Sequence, residues 1–140
     1  MEPVNDQWAD AAVATGMSAL DLRHLGDTTF EGDSLPLPGG RVFGGQVLAQ
    51  ALIATGRTVA ESRQVHSLHG YFLRPGDASK PIRFEVEILR DGKSFSARRA
   101  HAFQGDRPIL SMIASFQEDQ EGAEHQVTMP EVPPPLQVQS

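Results

Sequence analysis

Gly44, Gly45 and Gln46 open the stretch FGGQVLAQALIATG, residues 43–56, which holds no charged side chain in a chain where 21% of residues are charged. If this stretch is a helix, its first amides have no carbonyl partner, and such an end favours a carbonyl oxygen or an anion. Two glycines there let a ligand come close to the backbone. Those amides could stabilise an oxyanion as an acyl carbon becomes tetrahedral, at roughly 3 kcal/mol per donor, and Gln46 could orient a water. The plainer reading is a tight loop-to-helix junction with Gln46 capping the helix.

A second group is Ser67, His69 and Tyr71, which share one face of a predicted strand, with His66 and Leu68 on the other. A hydroxyl activated by an imidazole needs hydrogen-bond reach and an orienting acid. Positions i and i+2 on a strand are too far apart, and no acid is near in sequence, so a structural histidine is the better reading. The five histidines show no HxH, HxxxH or HExxH spacing, so no metal site is expected. Arg90, Lys93, Arg98 and Arg99 flank Asp91-Gly92 and could grip a phosphate, or be an ordinary solvated hairpin. Arg74, before Pro75, has the same two readings.

These groups need elements to hold them. A helix without a charged face must be wrapped on nearly all sides. Val47, Leu48, Ala51, Leu52, Thr55 and Val59 give it contacts along more than one face, and Gly56 and Arg57 suit its end. Before it, Trp8, Ala11, Ala12 and Thr15 have helical spacing within residues 5–15, ending at Gly16, which predicts a short packing helix. Residues 19–30 read as one or two strands, followed by a Gly/Pro-rich loop over 32–40.

After the helix the hydrophobic period changes to two. Residues 65–73 form one predicted strand, stopped by Arg74, Pro75, Gly76 and Asp77. Ile82, Phe84, Val86 and Ile88 alternate with Arg83, Glu85 and Glu87 in the next. Asp91-Gly92 is the best hairpin signal. The return strand, 94–104, carries Phe95, Ala97 and Phe103 on one face, with Ala100 and Ala102 on the other beside Ser94, Ser96 and Arg98. A turn at Gly105-Asp106 leads to 109–117, apolar on both faces and hence central or at a subunit contact. The expectation is α+β: a long antiparallel meander, curved around one uncharged helix.

Length bounds the rest. At 140 residues the chain is expected to be one domain, or one repeat of a larger protein, with a genuine core. The expected division is a helical segment over 1–17, the domain over 18–120, and an acidic then Pro-rich tail or linker over 121–140. A net charge of −6 argues against nucleic-acid or anionic-membrane partners, which need a basic surface. With zero cysteines there are no disulfides and no thiolate chemistry. The acidic N-terminus has no apolar signal core, and no apolar run reaches a membrane span, so a cytoplasmic location is expected.

RVFGGQVLAQAL, VHSLHGYFLRPGD, LRDGKSFSARR and ASFQ, in order and sensibly spaced over residues 20–135, resemble the acyl-CoA thioesterase II family, and specifically its first half. The resemblance implies a hot-dog fold, a curved antiparallel sheet around one helix, occurring twice in tandem. It implies hydrolysis of acyl-CoA to CoA and a carboxylic acid, a reaction of fatty-acid and lipid metabolism, without cofactor. The family's catalytic carboxylate, hydroxyl and glutamine belong to the second half. Laid over this half, they fall near Gly45 or Gln46, near Ser67 and near Ala114. No catalytic residue of the family therefore carries over, at most one of the three positions having a chemical match, and the catalytic residues stay unknown with Gly45, Gln46 and Ser67 as candidates by position alone; Gly44, Gly45, Gln46, His69, Tyr71, Arg98 and Arg99 are the substrate-binding candidates, the arginines for CoA phosphates.

Three functions follow. One is a thioesterase acting by water attack. Another is a noncatalytic half that binds acyl-CoA or completes a double hot-dog, favoured by the absence of a carboxylate on the helix. The third, a hot-dog dehydratase, needs a paired histidine and carboxylate, and the same absence counts against it. Open sheet edges imply a second hot-dog unit as partner, either a further copy in a homo-oligomer or the missing C-terminal half.

Overall fold

The computed structural model describes residues 7–137, and within the first helix the side chains from Ala11 onward apart from Ala12. In chain order it has α1 (Gln7–Ala19), β1 (Arg23–Gly26), β2 (Thr29–Gly32), α2 (Gly44–Gly56), β3 (Arg63–Phe72), β4 (Ile82–Asp91), β5 (Phe95–Gln104), β6 (Arg107–Glu118) and a single 3-10 turn, Pro135–Gln137. The six strands form one sheet in the order β1-β2-β4-β5-β6-β3, with every pair antiparallel. The uncharged segment is α2, packed across the sheet as expected.

Small residues set how closely helix and sheet approach. Ala51 and Ala54 on α2 and Ala100, Ala102 and Ala114 on the strands are buried, so α2 lies close against β5 and β6. Phe30, Ile82, Phe84, Leu110, Met112 and Phe116 fill the space around that contact. The alternation along β4 and β5 places these side chains inward as read from sequence, with Ser96 and Arg98 on the same inner face. Ile88 follows the pattern but lies 52% exposed, just before a bulge between Ile88 and Arg90.

Four expectations are corrected. The meander has three strands, β4-β5-β6, because β3 pairs with β6 and leaves β4 to pair with β2. Alternation assigns faces to a strand but not its neighbours, and β6, apolar on both faces, is interior as expected. Helix α1 runs through Gly16 to Ala19, and its described residues Ala11, Val13, Thr15 and Met17 are exposed, so they carry no packing role. The proposed contacts of Asn5 and of the Trp8 and Ala12 side chains lie outside the described residues.

The Asp91-Gly92 reversal exists but is not a two-residue turn. Asp91 stays in β4, the connection is residues 92–94, and Gly92 donates its N–H to the Phe95 carbonyl at 2.8 Å. The two-residue turn is Gly105-Asp106, where only Gly105 has a positive φ, +60°, as a II′ hairpin requires. Lastly, a bulge between Val65 and Ser67 shifts His66 onto the outer face, where its Nε2 shares a 2.8 Å hydrogen bond with Ser115 Oγ.

One face of α2 is sealed and the other is not. Gln46, Val47, Gln50, Ala51, Ala54 and Thr55 are buried, whereas Leu48, Leu52 and Ile53 are half-buried. Within one chain the helix is therefore wrapped less completely than its composition suggests. Beyond β6, residues 119–134 carry no helix or strand and are exposed.

Candidate functional site

The first turn of α2 is an open amide end. Phe43, in an extended conformation with no side-chain cap, accepts from Gln46 N at 3.0 Å and Val47 N at 3.3 Å. The amides of Gly44 and Gly45 donate to no acceptor among the described residues. No acidic side chain occupies this first turn. Gly44 lines a cleft of about 340 Å³ whose other walls include Val42, Val47, Phe72, Gly76 and Ile109. A Cβ at Gly44 would lie 3.0 Å from Phe72 Cζ, so the backbone here is covered by an aromatic edge that a side chain would displace.

Two loops are stitched together to frame that cleft. Val42 donates to the Gly76 carbonyl at 3.0 Å, and Ala78 to the Gly40 carbonyl at 2.9 Å. An antiparallel bridge links Arg41 to Asp77. The Asp77 carboxyl sits below the usual carboxylate range, chiefly because the Ser79 hydroxyl donates to it at 2.6 Å, with the Ser79 amide and Lys80 adding to the effect.

Gln46 is neither a helix cap nor free to hold a water. It is buried, its Oε1 accepts from Leu35 N at 3.1 Å and its Nε2 donates to the Asp33 carbonyl at 2.8 Å. One turn on, Gln50 donates to the Ala19 carbonyl at 2.7 Å and to the Asp33 carbonyl at 2.9 Å. The two glutamines pin residues 33–35 against the helix. The i, i+4 spacing of the only two amide side chains in the helix was the available signal, and sequence reading missed it.

The other candidates do not join this end. Ser67, His69 and Tyr71 pair with Ser115, Ile113 and Ser111 on the outer face of the sheet, away from α2. His69 and Tyr71 stack edge-to-face at 4.7 Å, a structural contact. Arg98 is corrected outright: it is 2% exposed, and all five guanidinium N–H groups are used. They reach Thr58 Oγ1 and carbonyl, the Arg90 and Ala97 carbonyls, and Asp91 Oδ1 at 2.8–3.0 Å.

Arg98 thus closes the C-terminal end of α2, where a cation is favoured. Arg63, from β3, joins the same network through Ser96 Oγ and the Gly92 carbonyl. Arg99, half-buried, pairs with Glu87 at 3.1 Å. The Arg98 guanidinium stands at the opposite end of a 13-residue helix from Gly44, about 20 Å away at 1.5 Å per residue.

Comparison with known proteins gives the family and the fold. Residues 34–117 match the family described as Acyl-CoA thioesterase N-terminal domain. The chain is 47% identical over 116 residues to Acyl-CoA thioesterase 2 of Haemophilus influenzae, covering 83% of this chain and 41% of that protein. It is 44% identical over 119 residues to human Acyl-coenzyme A thioesterase 8, covering 84% and 37%. It therefore spans well under half the length of these curated relatives.

Among solved structures, an Acyl-CoA thioesterase II, TesB2, from Mycobacterium marinum superposes with a TM-score of 0.76 at 47% identity, over 86% of this chain and 45% of that one. A protein described as having a hot-dog fold, from Alicyclobacillus acidocaldarius, superposes at 0.75 with 24% identity over 87% and 47%, which bears on the fold alone.

Proposed function

The chain belongs to the acyl-CoA thioesterase N-terminal domain family, and on that premise we propose that it is one hot-dog unit of an enzyme that hydrolyses acyl-CoA to CoA and a carboxylic acid. The observation that carries this reading is the amide end of α2, uncapped and opening into a cleft. A thioester carbonyl placed there would meet the Gly44 and Gly45 N–H groups, which stabilise the oxyanion formed as water attacks. A thioester is already activated, so the remaining need is a base to take the proton of that water.

The first turn of α2 has no acid, and Gln46 is committed to residues 33–35. The base and the water's orienting groups must then come from a second hot-dog unit. Its seat is the half-buried side of α2 together with β3, an edge strand bearing exposed Leu68, Tyr71 and Phe72. On this reading residues 18–120 are the hot-dog unit, with 121–140 a tail outside it. No described helix is long and apolar enough to cross a membrane. We place the protein in the cytoplasm, where a cysteine-free chain is at home.

The test is release of CoA thiol from a panel of acyl-CoA esters of increasing chain length. The protein has no thiol of its own to react. Turnover that tracks the protein and falls in Gly45→Val supports the reading. That variant should stay folded, because the group its Cβ would meet is the Phe43 ring, which is 65% exposed and free to swing. No turnover from a paired, folded sample would instead leave a noncatalytic binding half, and an unchanged Gly45→Val would leave the glycine a tight-turn role only.

A further inference from the structure

Beside the cleft at Gly44 lies a second, also of about 340 Å³, and the two share Arg74, Pro75 and Ile109. Its remaining walls are Asp77, Lys80, Gln104 and Arg107. Three cations therefore converge from two segments: Arg74 and Lys80 from the two ends of the β3–β4 loop, and Arg107, the first residue of β6. One negative charge, Asp77, faces them, so three positives against one negative leave a surplus of two. The whole chain carries −6, which makes this local reversal of sign informative.

The frame around these cations is fixed while their heads are exposed. Gln104 Nε2 donates to the Asp77 carbonyl at 2.7 Å and the Lys80 carbonyl at 3.1 Å, and its Oε1 accepts from Asp77 N at 2.7 Å. Arg74 Nη1 donates to the Pro108 carbonyl at 2.9 Å, leaving its other donors to the cleft. Asp77 Oδ1 is taken by the Ser79 amide and hydroxyl, and Lys80 Nζ stands 3.4 Å from Oδ2. Arg107 makes no ion pair with a described residue within 4.0 Å.

We propose that the two clefts form one continuous trough, whose apolar end at Gly44 takes the thioester and whose cationic end, Arg74, Lys80 and Arg107, takes the nucleotide phosphates of the same CoA. This rests on the thioesterase reading and adds the direction in which the substrate lies. Arginine and lysine are the side chains that match phosphate oxygens, Arg by paired donors and Lys as a point charge. The hairpin cations cannot serve: Arg98 is spent at the far end of α2, and Arg99 is paired with Glu87 on the face of the sheet away from the helix.

The experiment is calorimetric titration of the chain with CoA, with pantetheine, which lacks the nucleotide, and with inorganic phosphate as competitor. In Lys80→Gln/Arg107→Gln the CoA dissociation constant should rise about tenfold per lost phosphate contact, whereas that for pantetheine moves less than twofold. Phosphate should compete with CoA in the parent and much less in the double variant. In Lys93→Gln/Arg99→Gln, CoA binding should stay within twofold of the parent.

Four results would overturn the trough: no CoA binding at millimolar concentration, a CoA shift below twofold in the first double variant, an equal shift for pantetheine, or a larger loss in the hairpin pair. Both substituted side chains are exposed, so misfolding does not confound the comparison. Acyl-CoA hydrolysis with no such shift would overturn the trough and leave the thioesterase standing. CoA held through these cations without hydrolysis would do the reverse.

Discussion

Replacing Arg98 by Met should unfold this protein more readily without touching its ligand site. Methionine keeps most of the apolar stem in place but removes the guanidinium. That leaves the Thr58 carbonyl and Oγ1 and the Arg90 carbonyl without their donor, behind a residue only 2% exposed. Each buried acceptor left unsatisfied costs about 1–3 kcal/mol. Asp91 contributes less, because its side chain is 53% exposed and water can replace the lost partner. Three such acceptors bound the loss at about 3–9 kcal/mol; because Thr58 is only half-buried and Arg90 is exposed, the low end, about 3–5 kcal/mol, is expected, and for a domain of this size it lowers Tm by roughly 10–15 °C. Arg98→Lys should recover little, since one ammonium cannot serve the same spread of acceptors. Urea titration followed by circular dichroism gives the stability, and calorimetry with CoA the binding. A variant whose Tm lies within about 3 °C of the parent while CoA binding drops tenfold would refute the assignment and return Arg98 to the phosphate role read from sequence.

Arg99→Gln, by contrast, removes only an exposed pair with Glu87 and should change stability by less than about 0.5 kcal/mol in the same titration. Gly32→Ala should cost about 1–3 kcal/mol by overpacking, because its Cβ would lie 2.5 Å from Gln50 Nε2 and 2.7 Å from Leu22 Cδ2, both buried; an unchanged urea midpoint would mean that residues 33–35 are not clamped as described. Asp91 is held below the ordinary carboxylate range, first by the Ser96 hydroxyl and then by Arg98. A depressed folded pKa adds stability above the unfolded value, near 4, and loses it as pH falls through the folded one. Asp91→Asn should therefore flatten the acid limb of stability below about pH 4, and an identical acid limb would count against that hydrogen bond. Leu68→Asp/Phe72→Asp on the open edge should convert a dimer or larger oligomer to monomer in light scattering at micromolar concentration; a parent that is already a monodisperse monomer would overturn the pairing.

Sequence reading succeeded where one residue type enforces one geometry. The uncharged run from Phe43 to Gly56 had to be a helix packed on the sheet, and Gly105 had to turn. It failed where the answer depends on which segments meet. Nothing in residues 65–73 says that β3 skips β4 to reach β6, since period-2 alternation fixes faces and not neighbours. Lys80 and Arg107 come together only because Gln104 ties the β3–β4 loop to the end of β5. Arg98 was more legible than it was read: it shares parity with Ser96, Ala100 and Ala102, all on the inner face, so its head had to be buried or bent away. An arginine on a core face is first a candidate for holding carbonyls.

The two ends of α2 differ in how the fold satisfies them, which bears on the proposed reading. At the C-terminal end, carbonyls of residues 55 and 58 and the nearby strand ends are met by backbone amides and by Arg98 within the same chain. At the N-terminal end the fold supplies no equivalent acceptor for Gly44 and Gly45, and it spends Gln46, the one polar side chain of that turn, on residues 33–35. Among the described residues, the fold thus satisfies one end and leaves two donors of the other uncapped beside an apolar cleft. What those donors cannot do is remove a proton. On the reading proposed above, hydrolysis at this end takes a base from across the cleft, brought by a unit that covers the half-buried side of α2.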